Sequence, residues 1–323
     1  IYKVKQEKGK YLGIEIGGTK IQLCVTDREY NVLECLNFLV GDIKENSVIL
    51  KGLESRITTL VSKYAIESIG VGFGGPVNCT TGEIYQSFHV QGWNNINLKK
   101  WIEDLTKIPT FVDNDANIAA LGEATLGVGA EYSRVFYITL GSGVGGRYVI
   151  EGQLYHGAEP TECEIGHVRL SKAAGDILDS SCSGWALNKK LEAYIANIPS
   201  SILNQLTRTN QTKKKKNLME AIVTGDTGAK QMLDETIEDL AFGLSHVIHL
   251  LNPEIIVIGG GLSNLGTYLT STLEAFLPKY LMVTFQDKPP LIKLTNLKEM
   301  AVPYGAVVYA SKCLLRTNDK ESN

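Results

Sequence analysis

Apolar and polar positions along the chain fall into two rhythms, one strand-like and one helical. Tyr11 to Asp27 alternates in the manner of two strands joined at Gly17-Gly18-Thr19. A helical stretch is expected around Val48 to Tyr64, followed by a strand through Ser68-Ile69-Gly70-Val71-Gly72-Phe73 that enters a Gly74-Gly75-Pro76 loop. Thr110-Phe111-Val112 reads as the end of a strand, and Ile118 to Ala124 as the start of a helix. Arg134 to Leu140 is β-branched and aromatic, as a strand requires. From Ala229 to Leu251, Met232, Leu233, Ile237, Leu240, Ala241, Leu244, Val247, Ile248 and Leu251 keep the helical period until Pro253 ends it. Glu254 to Ile258 is then a buried strand, and Val302 to Ala310 a final apolar helix. Strands alternating with helices in this way predict an α/β protein.

Composition narrows the function classes. At 323 residues and 44% hydrophobic, the chain is long enough for two lobes with their own cores. A net charge of -3 gives no electrostatic reason to expect nucleic acid or a membrane surface as partner. No apolar run approaches the ~20 residues of a membrane span. Ile1 to Lys10 is charged and lacks the apolar core of a signal peptide, so a cytoplasmic location is expected. Cys24, Cys35, Cys79, Cys163, Cys182 and Cys313 are scattered with no CxxC pair, and reduced thiols are expected. Lys213 to Lys216 reads as a solvated loop.

Candidate chemistry centres on Val112-Asp113-Asn114-Asp115-Ala116-Asn117. A carboxylate between strand and helix sits at the sheet edge where open α/β folds bind ligands. Asp115 there could accept a proton from a substrate hydroxyl, with Asn114 gripping a neighbouring oxygen; capping of the helix is the competing reading. The amides of Gly74 and Gly75 are candidates to face a polyhydroxylated substrate. Gly17-Gly18-Thr19-Lys20 is a candidate phosphate cradle, with Glu15 placed to hold Mg²⁺ through water. Gly141-Ser142-Gly143-Val144-Gly145-Gly146 matches the GxGxxG dinucleotide fingerprint, but a second strand is expected after it where that fingerprint needs a helix. Two Gly-Thr/Ser hairpins suggest one nucleotide held by both halves. Glu164 and His167 are three apart and suit vicinal sugar hydroxyls, or a surface pair. Gly259-Gly260-Gly261 between strand and helix would let an adenine ring lie against backbone. Residues Ser87 to Asn95, with Trp93 more often a core residue, are candidates to shape a sugar site.

In this order, Ile16-Gly17-Gly18-Thr19-Lys20, Asn114-Asp115-Ala116-Asn117, Thr139 to Gly146, Glu164-Ile165-Gly166-His167 and Ile258 to Ser263 resemble the ROK family (repressors, open reading frames and sugar kinases). The resemblance runs from Tyr11 to Ala310. It implies an actin-like ATPase (ribonuclease H-like) fold of two α/β lobes with ATP and sugar meeting in an interlobe cleft. The expected division is a lobe over 1–117, with the helix 303–323 packing back on it, and a larger lobe over 118–302. By resemblance Asp115 is the general base, and Gly75, Asn114, Glu164, His167 and Asp179 bind sugar. Glu15, Gly17, Gly18, Thr19, Lys20, Gly141, Ser142, Gly143, Gly260 and Gly261 bind ATP and Mg²⁺, and a homodimer is implied.

Two departures stand out. Arg169 to Asp176 contains no cysteine, where most of the family carries a CxCGxxGC cluster that binds zinc with the preceding His. No zinc is therefore expected. Glu15 stands where the family usually has Asp. The ten residues ahead of Tyr11 are too few for the helix-turn-helix of the family's repressor branch. The expected function is ATP-dependent phosphorylation of a hexose or hexosamine hydroxyl. The alternatives are a non-catalytic sugar-sensing or regulatory protein, and an NAD-dependent oxidoreductase that would need a helix directly after Gly146.

Overall fold

The computed structural model describes residues 9–18, 20–40, 46–85, 93, 96–158, 161–172, 175–209 and 214–321. The chain begins with strands β1 (Lys10–Ile16), β2 (Lys20–Thr26) and β3 (Val32–Leu39), helix α1 (Asn46–Lys63) and strand β4 (Ile66–Phe73). Three short strands, β5 (Val77–Asn78), β6 (Glu83–Ile84) and β7 (Ile96–Asn97), lead to α2 (Leu98–Thr106), β8 (Thr110–Asn114) and α3 (Asp115–Thr125). Then come β9 (Arg134–Leu140), β10 (Val144–Ile150) and β11 (Gln153–Leu154). Helices α4 (Leu178–Cys182), α5 (Gly184–Asn197), α6 (Ile202–Thr209), α7 (Lys214–Val223) and α8 (Thr227–Leu251) follow. The last elements are β12 (Ile255–Gly259), α9 (Thr267–Phe276), α10 (Val283–Asp287), β13 (Leu291–Leu294) and α11 (Ala301–Glu321). No helix among the described residues is long and apolar enough to cross a membrane.

These elements form two compact units: Ile1–Glu131, Val149–Glu162 and Asn296–Asn323 make the first, Tyr132–Tyr148 and Cys163–Thr295 the second. The boundary expected at 117/118 is corrected. Helix α3 stays with the first unit because it packs on α11 and β4, and the segment after β10 returns there.

In the first unit the sheet order is β3-β2-β1-β4-β8. β1, β2 and β3 pair antiparallel, while β1, β4 and β8 are parallel. Helix α1 buries Ile49, Leu53, Ile57 and Leu60, the i, i+4, i+8, i+11 face of an amphipathic helix. Helix α11 is received where Gly13 and Gly70 stand opposite each other in register. A Cβ on either would collide with the backbone oxygens of Pro303 and Ala306. The same helix meets α3 at Gly305, where a Cβ would overlap the Ile118 carbonyl. The two backbones therefore touch, and α3 is seated by its contact with α11. Trp93 is buried edge-to-face on Phe73, 5.0 Å between ring centroids.

Two sequence expectations are corrected by local structure. Cys24 and Cys35 are joined in a disulfide, because the β2–β3 register puts them directly opposite each other. Cys79, Cys163, Cys182 and Cys313 are free thiols. Lys214 to Lys216 begin α7 rather than a loop. Lysine has good helix propensity, and the apolar residues after it supply a buried face; Lys213 lies outside the described residues.

In the second unit β9 lies between β10 and β12, and β13 follows β12. β9, β12 and β13 run parallel. Helix α8 buries Leu233, Ile237, Leu240, Leu244 and Ile248 as its spacing predicts. Asp226 caps it by accepting from the Ala229 amide, and Asn252 ends it in the left-handed conformation just ahead of Pro253.

Candidate active site

In the first unit, the strand–helix junction after β8 is built by its own side chains. Asn114 is the cap of α3: its Oδ1 accepts from the amides of Ala116 and Asn117, and its Nδ2 donates to the Gly75 carbonyl at 3.1 Å. Asp115 is therefore not the cap but the first helical residue, where the helix macrodipole favours a negative side chain. Asp113 is 2% exposed and accepts from the Asn114 amide at 2.7 Å and from Asn117 Nδ2 at 2.8 Å. Asn114 Oδ1 and Asp115 Oδ1 share the Ala116 amide, at 3.0 and 2.8 Å, and the junction is held on both sides of Asp115.

The β1–β2 turn and the end of β4 converge on that carboxylate. A Cβ on Gly74 would stand 3.4 Å from Asp115 Oδ2 and 3.7 Å from Gly17 Cα. Glu15 accepts from Gln22 Nε2 at 2.6 Å. Burial pushes the Glu15 carboxyl above its ordinary range; the Gln22 hydrogen bond and the Lys20 charge oppose this, and the Asp115 and Glu299 charges add to it. Lys20 Nζ lies 3.1 Å from Glu299 Oε2, whose side chain is 84% exposed, so the pair contributes little to stability. Thr19 lies outside the described residues, as do Ser87 to Asn95 apart from Trp93.

Several expected backbone donors are engaged elsewhere, which is a correction. The Gly74 amide donates to the Ile16 carbonyl and the Gly75 amide to the Phe73 carbonyl, both at 2.9 Å. Neither is available to a sugar. The amides of Gly17 and Gly141 close their own hairpins, on Lys20 O at 3.1 Å and Gly143 O at 2.9 Å. Any phosphate would meet the remaining groups of each turn. Glycine spacing reveals a tight turn but not which amide closes it.

In the second unit, Glu164 precedes a single 3₁₀ turn, Ile165–His167, with His167 exposed. Arg147 Nη1 lies 3.0 Å from Glu164 Oε1, and its side chain is only 10% exposed. A buried guanidinium from β10 therefore fixes the Glu164 carboxylate. Asp179 Oδ1 accepts from the Val144 amide at 2.7 Å and ties α4 to the β9–β10 hairpin. Gly260 has φ +78°, and a Cβ there would strike the Leu140 backbone, so the turn after β12 lies against the end of β9. Gly261 opens the 3₁₀ turn that follows. β10 runs Val144–Ile150 through the literal GxGxxG. A strand where the dinucleotide fingerprint needs a helix removes the oxidoreductase alternative.

The family model for ROK family matches residues 11–312. The chain belongs to the ROK family. It is 29% identical over 290 residues to a glucokinase of Halalkalibacterium halodurans, covering 86% of this chain and 88% of that one. A Thermotoga maritima glucokinase is 27% identical, with 86% and 90% covered. A crystal structure of a ROK family glucokinase from Streptomyces griseus, in complex with glucose and AMPPNP, superposes with a TM-score of 0.77 at 24% identity, over 94% of this chain and 100% of that one. The fold is accordingly the actin-like ATPase fold of ROK proteins.

Gln22, Arg147 and Glu299 were not singled out as candidates from sequence. Gln22 was accessible in principle, since a turn at Gly17-Gly18-Thr19 pairs Glu15 with Gln22 across the hairpin. Arg147 and Glu299 carry no sequence signal, because their partners are brought to them by packing.

Proposed function

We propose that this ROK-family chain is an ATP-dependent sugar kinase that phosphorylates a hydroxyl of a hexose or hexosamine, with Asp115 as general base. The observation that carries the reading is the placement of Asp115: it opens α3 at the end of β8, beside Gly74 and the β1–β2 turn, with Asn114 already occupied as the cap. A carboxylate held on rigid elements, its Oδ1 accepting from the Ala116 amide at 2.8 Å, suits proton acceptance.

In this mechanism Asp115 accepts the proton of the sugar hydroxyl as that oxygen attacks the γ-phosphate. Phosphoryl transfer passes through a loose transition state, so alignment and electrostatics matter more than base strength. Glu164, held by Arg147, and His167 would orient sugar hydroxyls. The Asn114 and Asp179 side chains would support the site chiefly through the turns they brace. Glu15 would hold Mg²⁺ through water, and the ion when bound would neutralise phosphate charge. The glycine turns at 17–18, 141–143 and 260–261 would lie against the nucleotide. Dimerisation belongs to the same reading and is measured by sedimentation.

A second reading, sugar sensing without phosphoryl transfer, is favoured by one observation. Glu15 is half-buried and one of its oxygens is already engaged by Gln22 Nε2 at 2.6 Å, which leaves it fewer lone pairs for a cation. A coupled ADP-release assay with Mg-ATP and a panel of hexoses and hexosamines separates the two. Sugar-dependent ADP release supports the kinase; sugar binding by thermal shift with no ADP release supports the sensor.

A further inference from the structure

We propose that Cys79, Asp113 and His156 form a zinc-binding site in the first unit. One ligand atom from each lies within 4.8 Å of the others. The three come from separate places in the sequence: Cys79 directly follows β5, Asp113 belongs to β8, and His156 lies just beyond β11.

Two independent features point to a cation. The first is Asp113 itself. Its Oδ1 accepts two hydrogen bonds, while its Oδ2 is buried and has no hydrogen-bond partner. A buried carboxylate oxygen without a donor is costly, and a cation removes that cost. His156 Nε2 stands 3.6 Å from Asp113 Oδ2. Nitrogen and oxygen ligands about 2.0 Å from a tetrahedral zinc are about 3.3 Å apart, so only a slight closure is needed. The second feature is the far side of the imidazole, where His156 Nδ1 lies 3.2 Å from Glu162 Oε1. A proton on Nδ1 shared with that carboxylate leaves the Nε2 lone pair directed to the site. Zinc-bound histidines recur in this carboxylate-backed arrangement.

The donor set selects the metal. A thiol sulfur, an imidazole and one carboxylate oxygen suit zinc and exclude magnesium or calcium as preferred occupants. His156 is 38% exposed and provides the entry path, with water for the fourth position. None of these residues lies in the 169–176 segment that lacks the family's cysteine cluster, so the proposed zinc has a different set of ligands. Bound zinc would pin the returning segment Val149–Glu162 to β8, two residues ahead of Asp115. The proposal does not depend on the kinase reading.

The test uses the full chain without added thiol, equilibrated with zinc or with cobalt(II) and then desalted. About one metal per chain is expected, with a thiolate-to-cobalt charge-transfer band. Cys79→Ser should abolish that band, and His156→Gln should remove stable binding. Glu162→Gln should weaken affinity about 10–100-fold, the usual cost of losing a carboxylate behind a ligating histidine. His167→Gln and Cys182→Ser should leave stoichiometry and spectrum unchanged. A wild-type chain that retains no metal would overturn the proposal. So would a cobalt spectrum that survives Cys79→Ser, or one lost in His167→Gln or Cys182→Ser.

Discussion

Gln22 donates from Nε2 to Glu15 Oε2 at 2.6 Å across the β1–β2 pair, and the same nitrogen donates to the Glu299 carbonyl at 3.0 Å. The bond ties the carboxylate beside the β1–β2 turn to the segment that leads into α11. It also explains how Glu can stand at a position where the resemblance implies Asp: the longer side chain is held by a cross-strand partner.

The Glu15 carboxyl gives a pH prediction. Its folded-state pKa is raised from 4.5, burial being the largest cause. Between that ordinary value and the raised one, the native state keeps a proton that the unfolded chain has lost. Stability therefore falls as pH rises through that interval. Glu15→Gln removes the contribution, so in urea midpoints followed from pH 4 upward the wild type should decline relative to the variant as pH rises. The variant should also need about 10-fold more Mg²⁺ for half-maximal turnover, the loss of about 1.4 kcal/mol of metal binding.

Gly305 provides a test of how Asp115 is positioned. A Cβ there overlaps the Ile118 carbonyl, one turn into the helix that Asp115 opens. Gly305→Ala should cost about 3 kcal/mol in chemical unfolding, as overpacking does. In the folded fraction it should lower kcat more than it raises KM for sugar, because α3 must shift against β8. An unchanged kcat would separate α11 packing from catalysis.

The Cys24–Cys35 disulfide closes a short loop between adjacent strands, with a sequence separation of 11. Chain-entropy arguments assign such a loop about 3 kcal/mol. A thiol reductant should lower the urea midpoint of the wild type. It should have no effect on Cys24→Ser/Cys35→Ser, whose midpoint should match the reduced wild type.

Local pattern carried much of this protein into view. The β1–β2 turn, the strand–helix junction at Asp115 and the amphipathic stripe of α8 are all written in short windows of sequence, where period and glycine placement act directly on the backbone. What lay hidden depends on register and packing. The Cys24–Cys35 pairing follows from the β2–β3 register, and the Arg147–Glu164 contact from the approach of β10 to a 3₁₀ turn. The same holds for Gly74 and Gly75: sequence identified the loop, but only the fold shows their amides bonded to Ile16 and Phe73. Asn114 illustrates the boundary well. Capping and catalysis compete for one polar cluster in the sequence; the structure makes Asn114 the cap and Asp115 the first helical residue.

The most direct test of the central claim compares wild type with Asp115→Asn in the ADP-release assay, on the sugar that gives the fastest turnover, with sugar affinity measured separately by titration calorimetry. A kcat reduced by about 10²–10⁴-fold is expected, the usual contribution of a positioned general base, with sugar affinity changed much less. Wild-type turnover in Asp115→Asn would contradict it.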